Sequence, residues 1–138
     1  MRAKPVRVIK QRNDMDCGVA ALAMLLHKPY GDVSLVVRRL VPVIPRRGLA
    51  AYHLQEIAAT HFGVSLCRVY KSRDYLLGQP TGILGVTPAS NKSGIGWCGH
   101  WVMLKEGVVL DPNDGFVYGL KEYLRKNKAK PAMLLLEE

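Results

Sequence analysis

A chain of 138 residues, 49% hydrophobic and 22% charged, has ordinary globular composition and room for one well-filled core, but none for a second catalytic domain. We therefore expect a single domain over residues 1–138. The net charge of +9 suits nucleic acid, an anionic membrane face or an acidic peptide and selects none of them. Its cations are spread over the N-terminal arm, Arg38-Arg39, Arg46-Arg47, Lys71 with Arg73, and residues 121–130. No glycine-aromatic RNA-binding signature or zinc-finger spacing accompanies them, so a solvated basic surface is the simpler reading and nucleic acid is not the favoured partner.

No apolar run reaches the roughly 18 residues of a membrane span. The arm carrying Arg2, Lys4, Arg7 and Lys10 lacks the apolar stretch of a signal peptide, and a cytoplasmic location is expected. Cys17, Cys67 and Cys98 form no CxxC pair, which argues against a disulfide framework. None has a histidine at zinc-ligand spacing, so no metal and no cofactor is expected.

The elements follow from period and punctuation. Residues 17–27 are apolar on nearly every face, which predicts a helix buried all round, with Asp16 placed to cap it. A second helix is predicted over 33–40, with Asp32 or Ser34 at its start, and a Pro/Arg loop over 42–48 follows. A third runs from about 49 to 62 and is closed by Gly63. Beyond it the period changes to short β runs at 65–70, 81–86, 100–104 and 108–110, with a tight hairpin turn at 105–107. Residues 87–96 read as a loop ahead of His100 that could gate substrate or simply connect. A short helix at 120–128 and a last strand at 132–136 complete an α+β chain, with N-terminal helices packed on an antiparallel sheet.

One constellation carries chemistry. Asp16-Cys17-Gly18 puts a thiol at a helix start, where unpaired N–H groups and the helix dipole favour a thiolate. His100 and Asp111 follow in the chain order nucleophile, base, orienter, which is a cysteine-nucleophile arrangement. Each residue also has a plainer reading. A buried cysteine is commonly a small hydrophobe, which is the reading for Cys67. His100 alone would pass for a strand-end histidine. Asp111-Pro112 is ordinary turn chemistry, and Asn113 or Asp114 could serve as orienter instead. Trp97 and Trp101 flank the histidine and read as cleft walls with Gly99, although Trp101 could equally be core. Cys98 could line the cleft or be a packed thiol. His27, His53 and His61 read as helix-surface or helix-end residues.

The block Gln11-x4-Asp16-Cys17-Gly18-x-Ala20, with His100-Trp-Val-Met-Leu and Asp111-Pro112-x-x-Gly115, resembles the bacteriocin-processing cysteine peptidases that cut leader peptides after a double glycine. The resemblance spans essentially the whole chain. It implies a papain-like fold, with Cys17 as nucleophile, His100 as general base and then acid, Asp111 as orienter and Gln11 as side-chain donor of the oxyanion hole. It also implies a peptide or protein substrate with a Gly-Gly motif.

Such peptidases commonly form the N-terminal domain of a peptide-exporting ABC transporter, and this chain carries neither membrane segments nor an ATP-binding motif. A freestanding domain could then serve a separate export transporter, process another protein carrying Gly-Gly, or be cut from a longer protein. Met1 and the ending at Glu137-Glu138 favour a complete protein over a piece of a longer one. Two other classes remain open: another acyl-transfer or amide-hydrolysing enzyme on the same triad, and a basic binding module for leader peptide or nucleic acid.

Overall fold

The computed structural model describes residues 7–12, 15–43, 48–70, 73–78, 80–87 and 99–138, with 73 and 74 by backbone alone. Three helices come first: α1 (Cys17–Leu26), α2 (Tyr30–Leu40) and α3 (Ala51–Phe62). They are followed by β1 (Leu66–Val69), the short α4 (Arg73–Leu77), β2 (Gly82–Thr87), β3 (His100–Lys105), β4 (Val108–Leu110), β5 (Val117–Gly119), α5 (Leu120–Lys126) and β6 (Lys130–Glu137). The strands form one sheet in the order β1-β6-β2-β3-β4-β5, and every neighbouring pair is antiparallel. Among the described residues no helix is long and apolar enough to cross a membrane.

The sheet divides the core in two. On one face, Ile83, Trp101 and Leu135 pack with the apolar sides of α1, α2 and α3. On the other, Leu84, Val86, Val102, Leu104, Val109 and Leu134 meet Leu120, Tyr123 and Leu124 of α5. Period-2 alternation along each strand sends successive side chains to these opposite layers. Helix α1 lies in the middle, with every residue from Cys17 to Met24 buried, as expected of a helix apolar on all faces.

Its start is held differently from the cap expected. Asp16 is 1% exposed but makes no capping bond to the helix. Its carboxylate instead accepts the Tyr30 hydroxyl at 2.5 Å and the Arg38 guanidinium at 3.2 Å on both oxygens. A buried carboxylate needs a counter-charge more than one backbone N–H can supply, and α2 provides it. Burial and the Asp16 bond in turn push the Tyr30 pKa up to about 12.

Helix α2 begins at Tyr30 after an extended Pro29, earlier than Asp32 or Ser34, because a proline in its fixed φ is a good lead into a first turn. Helix α3 ends at Gly63 with φ 66°, the left-handed closure expected there. At its start Ala50 has no side-chain acceptor, and His53 Nδ1 accepts the Ala50 N–H at 2.9 Å. The β3–β4 hairpin turns on Glu106 (φ 52°) and Gly107 (φ 80°), with Lys105 paired to Val108. Two consecutive positive φ values make the tight turn whose twist matches the strands. Thr87, expected to open a loop, is the last residue of β2.

Candidate active site

The hairpin sets the geometry of the site. Met103 pairs with Leu110, so one step further Val102 stands opposite residue 111, and His100 is its diagonal neighbour on the same face. His100 Nε2 lies 2.6 Å from Asp111 Oδ1. That oxygen also accepts the Asn113 backbone N–H at 2.9 Å, which turns the carboxylate toward the ring. The 111–116 turn is closed by Gly115 N–H to Asp111 O at 2.9 Å and Asp111 N–H to Phe116 O at 3.0 Å. Of the two other candidate orienters, Asp114 is engaged elsewhere, accepting the Phe116 N–H at 2.8 Å and the Tyr118 hydroxyl. Asn113 contributes its backbone, and its side chain is exposed.

Cys17 reaches the same imidazole from the other direction. Helix α1 approaches the sheet so closely that a Cβ on Gly18 would stand 3.3 Å from both Leu54 Cδ2 and Trp101 Cδ1, and the glycine after the thiol permits that approach. Burial, the largest influence on His100, lowers its pKa. The hydrogen bond to Asp111 outweighs it together with the hydrogen bond and charge of Cys17, and the net result is a rise from 6.5 to about 9. Such a rise favours the imidazolium at neutral pH, with the Asp111 carboxylate on Nε2 and the Cys17 sulfur as its second partner.

Gln11 is tied to the site through its backbone. Its N–H donates to Pro112 O at 2.8 Å, so the N-terminal arm runs alongside the turn that presents Asp111. Its side-chain Oε1 is buried. The arm is pinned again where the Ile9 N–H points at Met24 Sδ, 3.3 Å away.

The remaining candidates are placed as follows. Gly99 immediately precedes His100 and is half-buried. Trp101 is 1% exposed, packs with the helical layer and donates its indole N–H to Leu49 O at 2.7 Å; of its two readings, the structure places it in the core and not in a cleft wall, because alternation turns it away from the His100 face. Trp97, Cys98 and the loop from residue 88 onward lie outside the described residues. Cys67 is half-buried on β1 and unbridged. His27 ends α1 in a left-handed conformation, and His61 is in the last turn of α3, as expected of helix-end residues.

One residue went unnoticed in the sequence. Tyr123, on the inner side of α5, faces the Asp111 carboxylate and lines a cavity of about 340 Å³ with Val86, His100, Asp111 and Asn127. A larger groove of about 840 Å³ runs along α5 and the start of β6, lined by Lys121, Leu124, Arg125 and Lys130 among others, but it holds no nucleophile or histidine. Among the described residues no group of three His, Cys, Asp or Glu side chains converges to hold a metal ion.

Comparison with known proteins bears on the fold and the family. Three solved structures share the fold across nearly the full chain. A double glycine motif protease from an AMS/PCAT transporter, crystallised with the leader peptide, is 21% identical with a TM-score of 0.69, over 96% of this chain and 91% of that one. The peptidase domain of Streptococcus ComA, a bifunctional ABC transporter of a quorum-sensing pathway, is 15% identical with a TM-score of 0.70, over 96% and 98%. The peptidase domain of Streptococcus mutans ComA is 14% identical with a TM-score of 0.65, over 96% and 98%. The fold is thus the papain-like one that the resemblance implied. No curated protein sequence matches the chain significantly. The model of the peptidase C39 family matches residues 5–83, more than half of the chain, a stretch that contains Gln11 and Cys17. The chain belongs to the peptidase C39 family and is a cysteine peptidase.

Proposed function

We propose that this peptidase cleaves the amide bond that follows a Gly-Gly pair at the end of a leader peptide, using Cys17, His100 and Asp111 as its triad and Gln11 in the oxyanion hole. The observation that carries the reading is the single imidazole held at 2.6 Å by Asp111 and met by Cys17 from the start of α1. The double-glycine preference is supported by the protease that shares the fold and was crystallised with a leader peptide.

The geometry supports the following steps. Cys17 Sγ, as thiolate, attacks the carbonyl carbon of the second glycine, and the carbonyl oxygen takes up negative charge. The Cys17 N–H and the Gln11 amide are the donors for that charge. His100 passes its proton to the leaving amine nitrogen, the C–N bond breaks, and a thioester to Cys17 remains. A water molecule, its proton taken by His100, then attacks the thioester, releasing the leader carboxylate and the thiol. Asp111 keeps the ring oriented and supports the imidazolium throughout.

The domain acts as one unit over 1–138 in this reading. It works on the cytoplasmic side of a membrane, and a separate exporter takes its product. The test is a synthetic peptide with a central Gly-Gly, incubated with the purified protein and analysed by mass spectrometry, beside the same peptide with Ala-Ala. The expected result is a cut after the second glycine in the first peptide and at least a tenfold slower cut in the second, roughly the discrimination that added methyl groups bring in a tight pocket. Equal cleavage of both, or transfer to an added amine in preference to water, would reject the Gly-Gly hydrolase.

A further inference from the structure

The surroundings of Asp111 contain more than a two-residue contact. Its Oδ1 serves both His100 Nε2 at 2.6 Å and the Asn113 N–H at 2.9 Å, and Tyr123 faces the carboxylate from α5. Tyr123 is 3% exposed and its ring packs against Tyr118 with centroids 5.7 Å apart. Its position is therefore set by packing. A buried phenol needs an acceptor for its O–H, and the carboxylate it faces in the shared cavity is one.

We propose that Tyr123 is a positioning residue for His100, acting through the Asp111 carboxylate; the proposal rests on the reading of Cys17, His100 and Asp111 as the triad. With Tyr123 as a further donor, the carboxylate cannot rotate out of the His100 plane without giving up that contact as well as the Asn113 bond. The titratable groups facing Tyr123 are Asp111 and Asp114 from the turn, Cys17 from α1, Tyr118 from β5 and, across Asp111, His100 from β3. Burial first, then the negative charge of Asp111, raises the Tyr123 pKa, so the hydroxyl remains a proton donor over the whole range in which the enzyme would work.

The experiment compares wild type, Tyr123→Phe, Asp111→Asn and the double variant. It follows the His100 ring by NMR against pH and measures kcat and KM on the Gly-Gly peptide. Tyr123→Phe keeps the ring and its packing. It should lower kcat about tenfold, the scale of one hydrogen bond to a charged group, with KM unchanged. The His100 titration should move upward, because the carboxylate loses a partner that shares its charge. In the Asp111→Asn background the tyrosine substitution should cost nothing further. A folded Tyr123→Phe protein with wild-type kcat and His100 titration overturns the proposal, as does a full further tenfold loss in the double variant. Absence of cleavage by wild type would instead reject the triad reading, and the His100 titration would still decide whether Tyr123 acts on Asp111.

Discussion

Of the two cysteines whose surroundings are described, only Cys17 stands at the start of a buried helix against an imidazole, while Cys67 is half-buried on β1. Cys17 should therefore be carbamidomethylated by iodoacetamide faster than Cys67 and Cys98 in the folded protein near neutral pH, as peptide mapping of a timed reaction would show. Equal labelling of all three would remove it as nucleophile. The Asp111 assignment predicts a different pattern. Asp111→Asn should keep the fold and lower turnover by orders of magnitude, since an amide neither favours the same tautomer nor supports the imidazolium. Asp114→Asn, whose carboxylate serves Phe116 and Tyr118, should be mild in activity, and kinetics of the two variants side by side would decide between them. Gln11→Ala should leave Cys17 labelling intact and reduce turnover about 10²-fold, because its amide acts on charge that exists only along the reaction path; unchanged turnover would take Gln11 out of the site.

At the scale of elements, the helices and strands that place Cys17, His100 and Asp111 were legible because their signals are local. The apolar run after Cys17 specifies α1, Gly63 closes α3, and Glu106-Gly107 sets the hairpin whose register brings His100 within reach of Asp111. What escaped depends on partners distant in sequence or lies in elements too short to show a period. Asp16 looked like a cap because it precedes a helix, yet its partners Tyr30 and Arg38 are 14 and 22 residues away. Strand β5 has three residues, with Val117 54% exposed, and carries no alternation to read. Helix α4 is five residues long, too short for a period. Tyr123 sits in a helix dominated by Lys121, Glu122, Arg125 and Lys126, where one inward aromatic gives no sign of what it faces. The α1–α2 link has its own consequence. Arg38→Gln should lower stability by about 1–3 kcal/mol, the cost of leaving a buried carboxylate short of a donor, toward the low end because the Arg38 side chain is 40% exposed. Urea unfolding would measure it, and a loss near zero would mean that the Tyr30 hydroxyl alone satisfies Asp16.

For the molecule as a whole, the site joins both layers: α1 brings the thiol from one face of the sheet, and the β3–β4 hairpin and α5 frame the histidine and carboxylate on the other. Its pH behaviour follows from His100. The folded-state pKa of about 9 lies above the ordinary 6.5, so the stabilisation from its protonation is fully present below pH 6.5 and is lost as pH rises through about 9. Wild type should lose more stability over that interval than His100→Gln, and the basic limb of kcat/KM should fall near pH 9 as the proton needed by the leaving amine is lost. An activity that keeps rising through that range would show that the imidazolium is not the acid. The most direct test of the central claim is covalent capture. A leader-like peptide ending in a Gly-Gly chloromethyl ketone should attach once to the protein, with peptide mapping placing the adduct on Cys17 Sγ and Cys17→Ala remaining unmodified. Attachment at Cys67 or Cys98, or equal attachment of the same peptide ending in Ala-Ala, would contradict a Cys17 peptidase specific for double-glycine leaders.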